Sequence, residues 1–422
     1  MVLERSRYYY TLAAMLLLFG LTLPLSKSAG NVILFFSYMI GVTGFLLNKN
    51  FKEVIYINSR QPLTLAFSLY FLVALVGVLF TNDYSDGLHV ANKFFSLPAI
   101  YFMASVLIQS LYSEEKRNQK AEYILLSFLI GLLILNGIGI MTFLGIIGKK
   151  QYLTPLAPLN LHHIWFSNIN ALGLYTAVSF LLFSSYGKSV RGKIYFGCSI
   201  VLGIFCILLS VSRTAWFGIA LTSVIMAFLA SKNKKIVIIT VAAAAVAGVI
   251  IYLFIPLVHD RINFIIQDIS YFFAGNTETS LGMRFLMWKA AIMMFLSNPL
   301  VGVGTGGYVP TMASYIASGQ FPEFLNQFNQ PHNMYLFALA TNGLLGLASL
   351  LYLFYRILIL SLPVIRRGQG DRLFAFLATA TAVHYLIAGL TDSFFNIQIL
   401  RYSFVFIMGV CIRNSIVSVH RG

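Results

Sequence analysis

Long apolar blocks, separated by short polar segments, run along the whole chain. Each block is about 20 residues long, which is the length an α-helix needs to cross a hydrocarbon core of about 30 Å. Apolar and polar residues do not alternate within the blocks, as they would in the ~10-residue strands of a membrane β-barrel. The pattern therefore predicts an all-α, polytopic integral membrane protein.

The hydropathy pattern predicts about twelve transmembrane helices in one transmembrane domain, residues 1–422. The blocks lie at residues 9–25, 30–47, 62–81, 94–112, 123–147, 166–186, 194–212, 214–230, 236–257, 334–357, 373–391 and 399–416. We interpret the first block as a retained helix rather than a cleaved signal peptide, because no convincing small-residue cleavage site follows it.

One long connection interrupts this series of short loops. Residues 258–333 lie between predicted transmembrane helices 9 and 10. Connections of this length are unusual unless they are functional. The segments "RINFIIQDISYFF" and "GMRFLMWKAAIMMFLSNP" carry apolar residues at helical spacing, so we expect amphipathic helices on the membrane surface or over the bundle.

The composition agrees with a membrane protein, since 59% of the residues are hydrophobic and 10% are charged. A soluble domain would contain roughly a quarter charged residues. The net charge of +16 could suggest nucleic-acid binding, but most lysines and arginines flank alternate ends of the predicted helices. That distribution follows the positive-inside rule and places both termini in the cytoplasm and residues 258–333 outside. We therefore expect membrane lipids, and no nucleic acid, as partners.

Two arginines on the outer side are candidates for chemistry. Arg213 stands in "LLSVSRTAWFG", between two apolar blocks that leave almost no loop, where a charge usually faces a cavity or a partner. The alternative is an arginine that reaches lipid phosphates. Arg284 stands in "LGMRFLMWKAA" on a predicted amphipathic helix, where stacking on Trp288 is the alternative. Lys289 lies about 140° away around that helix, so it need not share the face of Arg284.

His332 is placed directly before an apolar block, in "PHNMYLFALATNGLLG". A helix N-terminus disfavours the imidazolium ion, and the neutral imidazole can accept a proton. A structural role for a lone histidine is the alternative. Asn333 is a candidate helix cap. Gly343 and Gly346 suggest close packing between neighbouring helices.

Several other polar residues have no assigned role. His162 and His163 lie in a second outer loop, and His384 lies within a predicted helix. Asp83 and Asp86 could form a cation site or supply a catalytic acid, although solvated loop carboxylates are the simpler interpretation. Because there is no Cys-x-x-Cys, His-x-x-x-His or Asp-x-Asp pattern, we expect no metal site and no cofactor.

The stretch from His332 to Gly346 resembles the signature of the O-antigen ligase family. That signature is His followed by Asn, Ser or Gln, then nine residues, then Gly-x-x-Gly, and here it is His332-Asn333, "MYLFALATN" and Gly343-Leu-Leu-Gly346. The "SRTAW" segment around Arg213 is similar to the family's Ser-Arg segment, and Arg284 stands where the family places a second functional arginine. The specific motifs cover only the second half of the chain.

The resemblance implies an inner-membrane glycosyltransferase of the GT-C type with a periplasmic active site and no metal. Its donor would be a glycan on undecaprenyl diphosphate, and its acceptor a sugar hydroxyl of lipid A–core. Arg213 and Arg284 would bind the diphosphate, and His332 would act as the general base of an inverting transfer. Asn333, Gly343 and Gly346 would support the site.

Three alternatives share part of this pattern. An O-antigen polymerase would use the same donor but another lipid-linked repeat as acceptor. A protein-glycosylating ligase is disfavoured by the compact chain. A transporter or flippase should show inverted repeats and ionisable residues at mid-membrane, for which His384 is the one candidate.

Overall fold

The computed structural model of the chain describes residues 7–47, 52, 55–56, 58–110, 114–148, 156–231, 233–368 and 371–417. Within these residues the chain forms helices and no strand. The helices longer than one turn are α1 (Arg7–Thr22), α2 (Lys27–Leu47), α3 (Pro62–Gly77), α4 (Tyr84–Ser110), α5 (Glu114–Phe143), α6 (His163–Phe183), α7 (Val190–Leu209), α8 (Arg213–Ala230), α9 (Lys234–Phe254), α10 (Pro256–Phe273), α11 (Ser280–Ser297), α12 (Tyr308–Ala317), α13 (Met334–Arg367), α14 (Arg372–Ala388) and α15 (Gln398–Val417). The chain also forms a one-turn helix, Ser185–Lys188, and four short 3₁₀ segments.

Each of the twelve predicted membrane blocks overlaps one of these helices. Among the described residues, eight helices are long and apolar enough to cross a membrane. Three further apolar helices, at Tyr10–Thr22, Arg372–Ala388 and Gln398–Ile412, are shorter. The chain is thus a multi-pass α-helical membrane protein, while the number of twelve crossings stays a prediction. The chain termini, residues 1–6 and 418–422, lie outside the described residues.

The centre of the bundle is formed by α14 and α15, because these two helices bury side chains on all faces. Helix α15 packs against α4 and α14, and α14 also packs against α8 and α13. Helix α9 lies at the periphery, with its most apolar 18-residue window wholly unburied. Such a helix faces lipid. Of the three cysteines, Cys206 and Cys411 are buried as free thiols, whereas Cys198 is exposed.

The long connection contains three helices, α10 to α12, as the apolar spacing predicted. Helix α11 packs against α13 through a buried face that includes Met287, Ala290 and Met294. Helix α10 instead leaves Phe264, Ile266 and other apolar side chains exposed. An exposed apolar face beside polar residues is typical of a helix at a membrane surface.

Helix α13 is interrupted at Gly343, a kink that the apolar pattern of the sequence did not predict. Gly343 has φ +59°, a left-handed backbone that favours glycine. The amide of Leu344 donates to the carbonyl of Pro299 at 2.8 Å, so the turn before α12 docks into the interruption. A Cβ atom at Gly343 would lie 2.3 Å from the carbonyl carbon of Leu300. A Cβ atom placed at Gly346 would lie 2.6 Å from the carbonyl oxygen of Ala338.

Candidate active site

His332 lies in the short connection that leads into α13, two residues before the helix begins. Its backbone has φ +50°, which is uncommon for a residue other than glycine, although histidine tolerates it better than most. Such backbone strain persists only where the surrounding structure fixes it. The side chain is 24% exposed, so the imidazole borders open space at this end of the bundle.

The imidazole of His332 is held by a buried carboxylate that follows α14. Its Nδ1 lies 3.2 Å from Oδ1 of Asp392. The same oxygen accepts a hydrogen bond from Nε2 of Gln330 at 3.1 Å and from the backbone amide of Ser393 at 2.8 Å. A carboxylate can only accept, so the proton of a neutral His332 lies on Nδ1 and Nε2 carries the lone pair. The arrangement leaves one ring nitrogen free to accept a proton.

Further hydrogen bonds fix the segment that carries His332. Asn333 caps α13, because its side-chain oxygen accepts from the amides of Tyr335 and Leu336, each at 3.0 Å. Its side-chain nitrogen donates to the carbonyl of Leu390 at 3.0 Å, next to Asp392 in sequence. The indole of Trp288 donates to the carbonyl of Pro331 at 2.9 Å. The predicted capping role of Asn333 is therefore confirmed, and the His332 segment is tied to both α14 and α11.

Arg213 begins α8 after a tight turn. Val211 in that turn has φ +53°, an outlier for a β-branched residue, and Ser212 caps the helix through its hydroxyl. The guanidinium of Arg213 lies 3.6 Å from the carboxylate of Asp268 on α10. This ion pair is loose, with the two side chains 26% and 15% exposed, so it contributes little to stability. Arg213 thus faces a protein carboxylate rather than lipid.

Two further arginines have charges that interact with Arg213. Burial lowers the pKa of Arg261 on α10, and the positive charge of Arg213 lowers it further. Burial likewise lowers the pKa of Arg284 on α11, with the Asp392 carboxylate acting in the opposite direction. Among the described residues, Arg284 has no carboxylate within 4 Å. The three guanidinium groups therefore form a cluster with more positive charge than Asp268 balances.

Several buried polar atoms around this cluster have no hydrogen-bond partner among the described residues. They are Nε of Arg213, Nε of Arg261, Oδ2 of Asp268 and Oε1 of Gln330. Such atoms are costly in a protein interior and are normally paired. Of these four atoms, the two arginine Nε groups are unpaired donors, and donors of this kind suit an anionic ligand.

Comparison with known proteins places most of this cluster in one family segment. Residues 198–351 match the family model described as O-antigen ligase. The predicted O-antigen ligase resemblance is confirmed. Arg213, Arg261, Arg284 and His332 all lie within the O-antigen ligase segment, whereas Asp392 lies beyond it.

A relative from Haemophilus influenzae (strain ATCC 51907 / DSM 11121 / KW20 / Rd) is 25% identical over 356 residues. The similarity covers 83% of this chain and 84% of the relative, which is described as an uncharacterized protein. The likeness to that protein thus covers more of the chain than residues 198–351.

His162 and His163 lie at the rim of the same site. The charges of His332 and Asp392 both influence His162, whose pKa is lowered chiefly by burial. Nδ1 of His163 lies 2.9 Å from the carbonyl of Ser210, in the turn that leads to Arg213. The two imidazole rings lie 4.6 Å apart. The structure therefore brings His162 and His163 close to residues within the matched segment 198–351.

The remaining candidates lie elsewhere. Asp83 accepts a hydrogen bond from the amide of Asp86 at 3.0 Å, so the pair forms the first turn of α4. The ammonium of Lys289 lies over the ring of Phe321, 5.8 Å from its centroid, away from the face of Arg284. Trp288 contacts Phe285 and the carbonyl of Pro331, and these contacts replace the alternative of stacking on Arg284.

Sequence reasoning did not identify Asp392, Arg261, Asp268 or Gln330. Asp392 was the most recognisable, because it is an isolated carboxylate just after the C-terminal end of an apolar helix, in "GLTDSFF". Arg261 and Asp268 lie within the first amphipathic segment of the long connection. Their spacing of seven residues places them on one face of α10.

Proposed function

We propose that this protein is an O-antigen ligase, which transfers a glycan from undecaprenyl diphosphate to a sugar hydroxyl of lipid A–core. The single observation that carries the proposal is the His332–Asp392 pair beside three arginines, at one end of a membrane-spanning bundle. A general base next to an anion-binding cluster suits the transfer of a sugar from a diphosphate. The family match supports the same reaction class.

His332 is the proposed general base. Its Nε2 takes the proton of the acceptor hydroxyl while the hydroxyl oxygen forms a bond to the anomeric carbon of the donor. Asp392 keeps the second ring proton on Nδ1 and stabilises the imidazolium that forms. General-base catalysis of this kind contributes typically 10²–10⁴-fold to the rate.

The arginines are proposed to bind the leaving group. As the anomeric C–O bond breaks, its electron pair stays on the undecaprenyl diphosphate, and negative charge grows on the departing oxygen. Guanidinium groups suit this task because they stay charged and present paired donors to phosphate oxygens. Arg213 and Arg284 take the roles that the resemblance implied, and Arg261 is added to them.

The stereochemical proposal is inversion at the anomeric carbon. The acceptor hydroxyl attacks opposite the diphosphate, so His332 and the arginines act on opposite sides of the sugar. No metal ion enters the proposed steps, since the three guanidinium groups supply the positive charge that the leaving group needs. His162 and His163 lie where they could contact a bound sugar.

The proposed setting is the inner membrane of a bacterium, with both termini in the cytoplasm. The starts of α6, α8 and α13 and the end of α14 lie at the His332 end of the bundle, which the charge bias puts on the periplasmic side. A twelve-helix GT-C architecture, with residues 258–333 as a periplasmic loop over the site, completes the proposal. Glycan-linked lipids would reach the site from the membrane.

A reaction with purified protein tests the assignment. The protein is incubated with an undecaprenyl-diphosphate-linked glycan and lipid A–core, and the products are separated on a gel. Glycan-bearing lipid A–core supports the ligase, and a longer lipid-linked glycan would identify a polymerase instead. If neither product forms, and the protein moves the donor across vesicle membranes, the enzyme assignment is wrong and the transporter alternative is correct.

A further inference from the structure

A second polar cavity lies at the opposite end of the bundle from His332. It has a volume of about 490 Å³ and is bounded by the end of α8 (residues 228–230), the end of α13 and the start of α14. His332 lies at the start of α13 and Asp392 follows the end of α14, so the length of these helices separates this cavity from the candidate active site.

Three arginines line the cavity without a carboxylate partner. Arg366 and Arg367 are exposed at the end of α13, and Arg372 begins α14. Among the described residues, none of the three forms an ion pair within 4 Å. The adjacent carboxylate, Asp371, instead accepts the backbone amide of Leu373 as the cap of α14. The cavity therefore carries an unbalanced positive charge.

Arg372 is fixed in place but incompletely hydrogen-bonded. Its guanidinium lies 4.9 Å from the centroid of the Phe183 ring, and one terminal nitrogen donates to the carbonyl of Ala230 at 3.5 Å. Its Nε is buried and has no hydrogen-bond partner among the described residues. A buried guanidinium N–H that points to no acceptor is costly. The unpaired donor fits an oxygen-rich anion.

The other wall of the cavity is apolar. Phe228, which lines it, is 67% exposed, and Leu229 and Ile365 complete this wall. An arginine side next to an apolar side matches a molecule with a phosphate joined to a hydrocarbon chain. A small soluble anion would leave the apolar wall uncovered.

We propose that this cavity binds the phosphate of an anionic glycerophospholipid, with its acyl chain along Phe228. The charge bias of the helix ends places this end in the cytoplasm, where anionic lipids attract basic residues. Basic residues on this side are a general topology signal. The cavity and the unpaired Nε of Arg372 distinguish these arginines from Lys234 and Lys235, which are exposed at the start of α9.

Lipid retention measured by native mass spectrometry tests the proposal. The full-length protein in detergent micelles is mixed with dioleoyl phosphatidylglycerol, or with dioleoyl phosphatidylcholine as the zwitterionic comparison. We expect preferential retention of phosphatidylglycerol by the unmodified protein. Each basic residue that contacts the lipid phosphate should contribute roughly fivefold to retention. The Arg366→Gln/Arg367→Gln variant should therefore retain phosphatidylglycerol roughly 25-fold more weakly.

The matched control is Lys234→Gln/Lys235→Gln, which removes the same charge from the same end of the bundle, and its retention should change less than twofold. Equal losses in the two double variants would overturn the proposal, because charge alone would then explain binding. Displacement of the lipid by millimolar inorganic phosphate would also overturn it in favour of a soluble-anion site. Thermal unfolding in the same detergent checks that the variants are folded. If the double variant is unfolded, the single variant Arg366→Gln replaces it, with an expected loss of phosphatidylglycerol retention of roughly fivefold.

Discussion

Two histidines of this chain, His332 and His384, occupy opposite chemical situations. His384 lies in the middle of α14 and is fully buried. Its Nδ1 lies 3.0 Å from the hydroxyl of Tyr175, and its Nε2 lies 3.0 Å from the side-chain oxygen of Asn168. Both ring nitrogens are therefore used inside the protein. His332 uses only Nδ1, toward Asp392, and its ring borders open space.

The difference shows how a polar group that stabilises the bundle differs from one that could act in catalysis. At membrane depth an unpaired polar group is costly, so a histidine with two partners ties helices together. His384 joins α6 to α14 in this way, and it approaches Gly218 so closely that a Cβ there would lie 2.7 Å from its ring. His332 instead keeps one ring nitrogen free, as the proposed general base requires.

The largest expected contrast is between His332→Gln and His384→Gln. The first should reduce glycan transfer about 10²–10⁴-fold and leave thermal unfolding nearly unchanged, because it removes the free base. The second should lower the unfolding temperature, because Tyr175 and Asn168 lose a buried partner at about 1–3 kcal/mol each. Activity assays and unfolding scans on both variants measure the two effects. The exposed His89 supplies the control variant His89→Gln, for which neither quantity should change.

The next effect concerns the arginines. Arg213→Gln and Arg284→Gln should each reduce transfer roughly 10²–10³-fold, because each removes a preorganised positive charge from the leaving group. Lysine at either position should restore only part of the activity, since it cannot donate in a paired geometry. Steady-state kinetics with purified donor provide the measurement. Lys289→Gln is the control on the same helix as Arg284, and a comparable loss there would mean that net charge alone matters.

A smaller effect is expected at Asp392. Asn at this position keeps the size of the side chain but no longer fixes the proton on Nδ1 of His332, so transfer should fall by at most the roughly 10²–10⁴-fold that the base itself supplies. The maximal rate should fall more than the affinity for the donor. If Asp392→Asn weakens donor binding while the rate of bound donor is unchanged, the carboxylate does not act through His332.

The smallest effect is expected at Asn333, whose polar atoms are fully used. Asn333→Ala removes the cap of α13 and the hydrogen bond to Leu390, which should cost about 1 kcal/mol of folding free energy for the cap. Transfer should fall only slightly, because loss of the cap displaces the segment that carries His332. Asn333→Asp retains the capping oxygen and should recover most of the unfolding temperature. A loss of activity as large as that of His332→Gln would show that Asn333 contacts the substrate.

Much of the fold was predictable because apolar length alone determines a membrane helix. The twelve predicted blocks all lie on helices, although α4 begins ten residues before its apolar block. Asp83 extends that helix by pairing with the amide of Asp86, a local effect that hydropathy does not register. The interruption of α13 at Gly343 was not predictable, since it depends on the docked turn at Pro299.

The candidate site was predictable only in part. His332, Arg213 and Arg284 stand in short motifs and could be identified from sequence. Asp392 lies 60 residues from His332, and their contact arises because α13 and α14 run antiparallel. The helix-end argument for a neutral His332 did not anticipate this carboxylate. Arg261 and Arg213 meet only because α10 folds back over the bundle.

The most direct test of the central claim is a single-turnover experiment on His332→Gln. Labelled undecaprenyl-diphosphate glycan is first bound to the unmodified protein and to the variant, and lipid A–core is then added to both. We predict equal donor binding, because the arginines are intact, and a transfer rate about 10²–10⁴-fold lower in the variant. A transfer rate within twofold of the unmodified protein, at equal donor occupancy, would contradict the assignment of His332 as the general base.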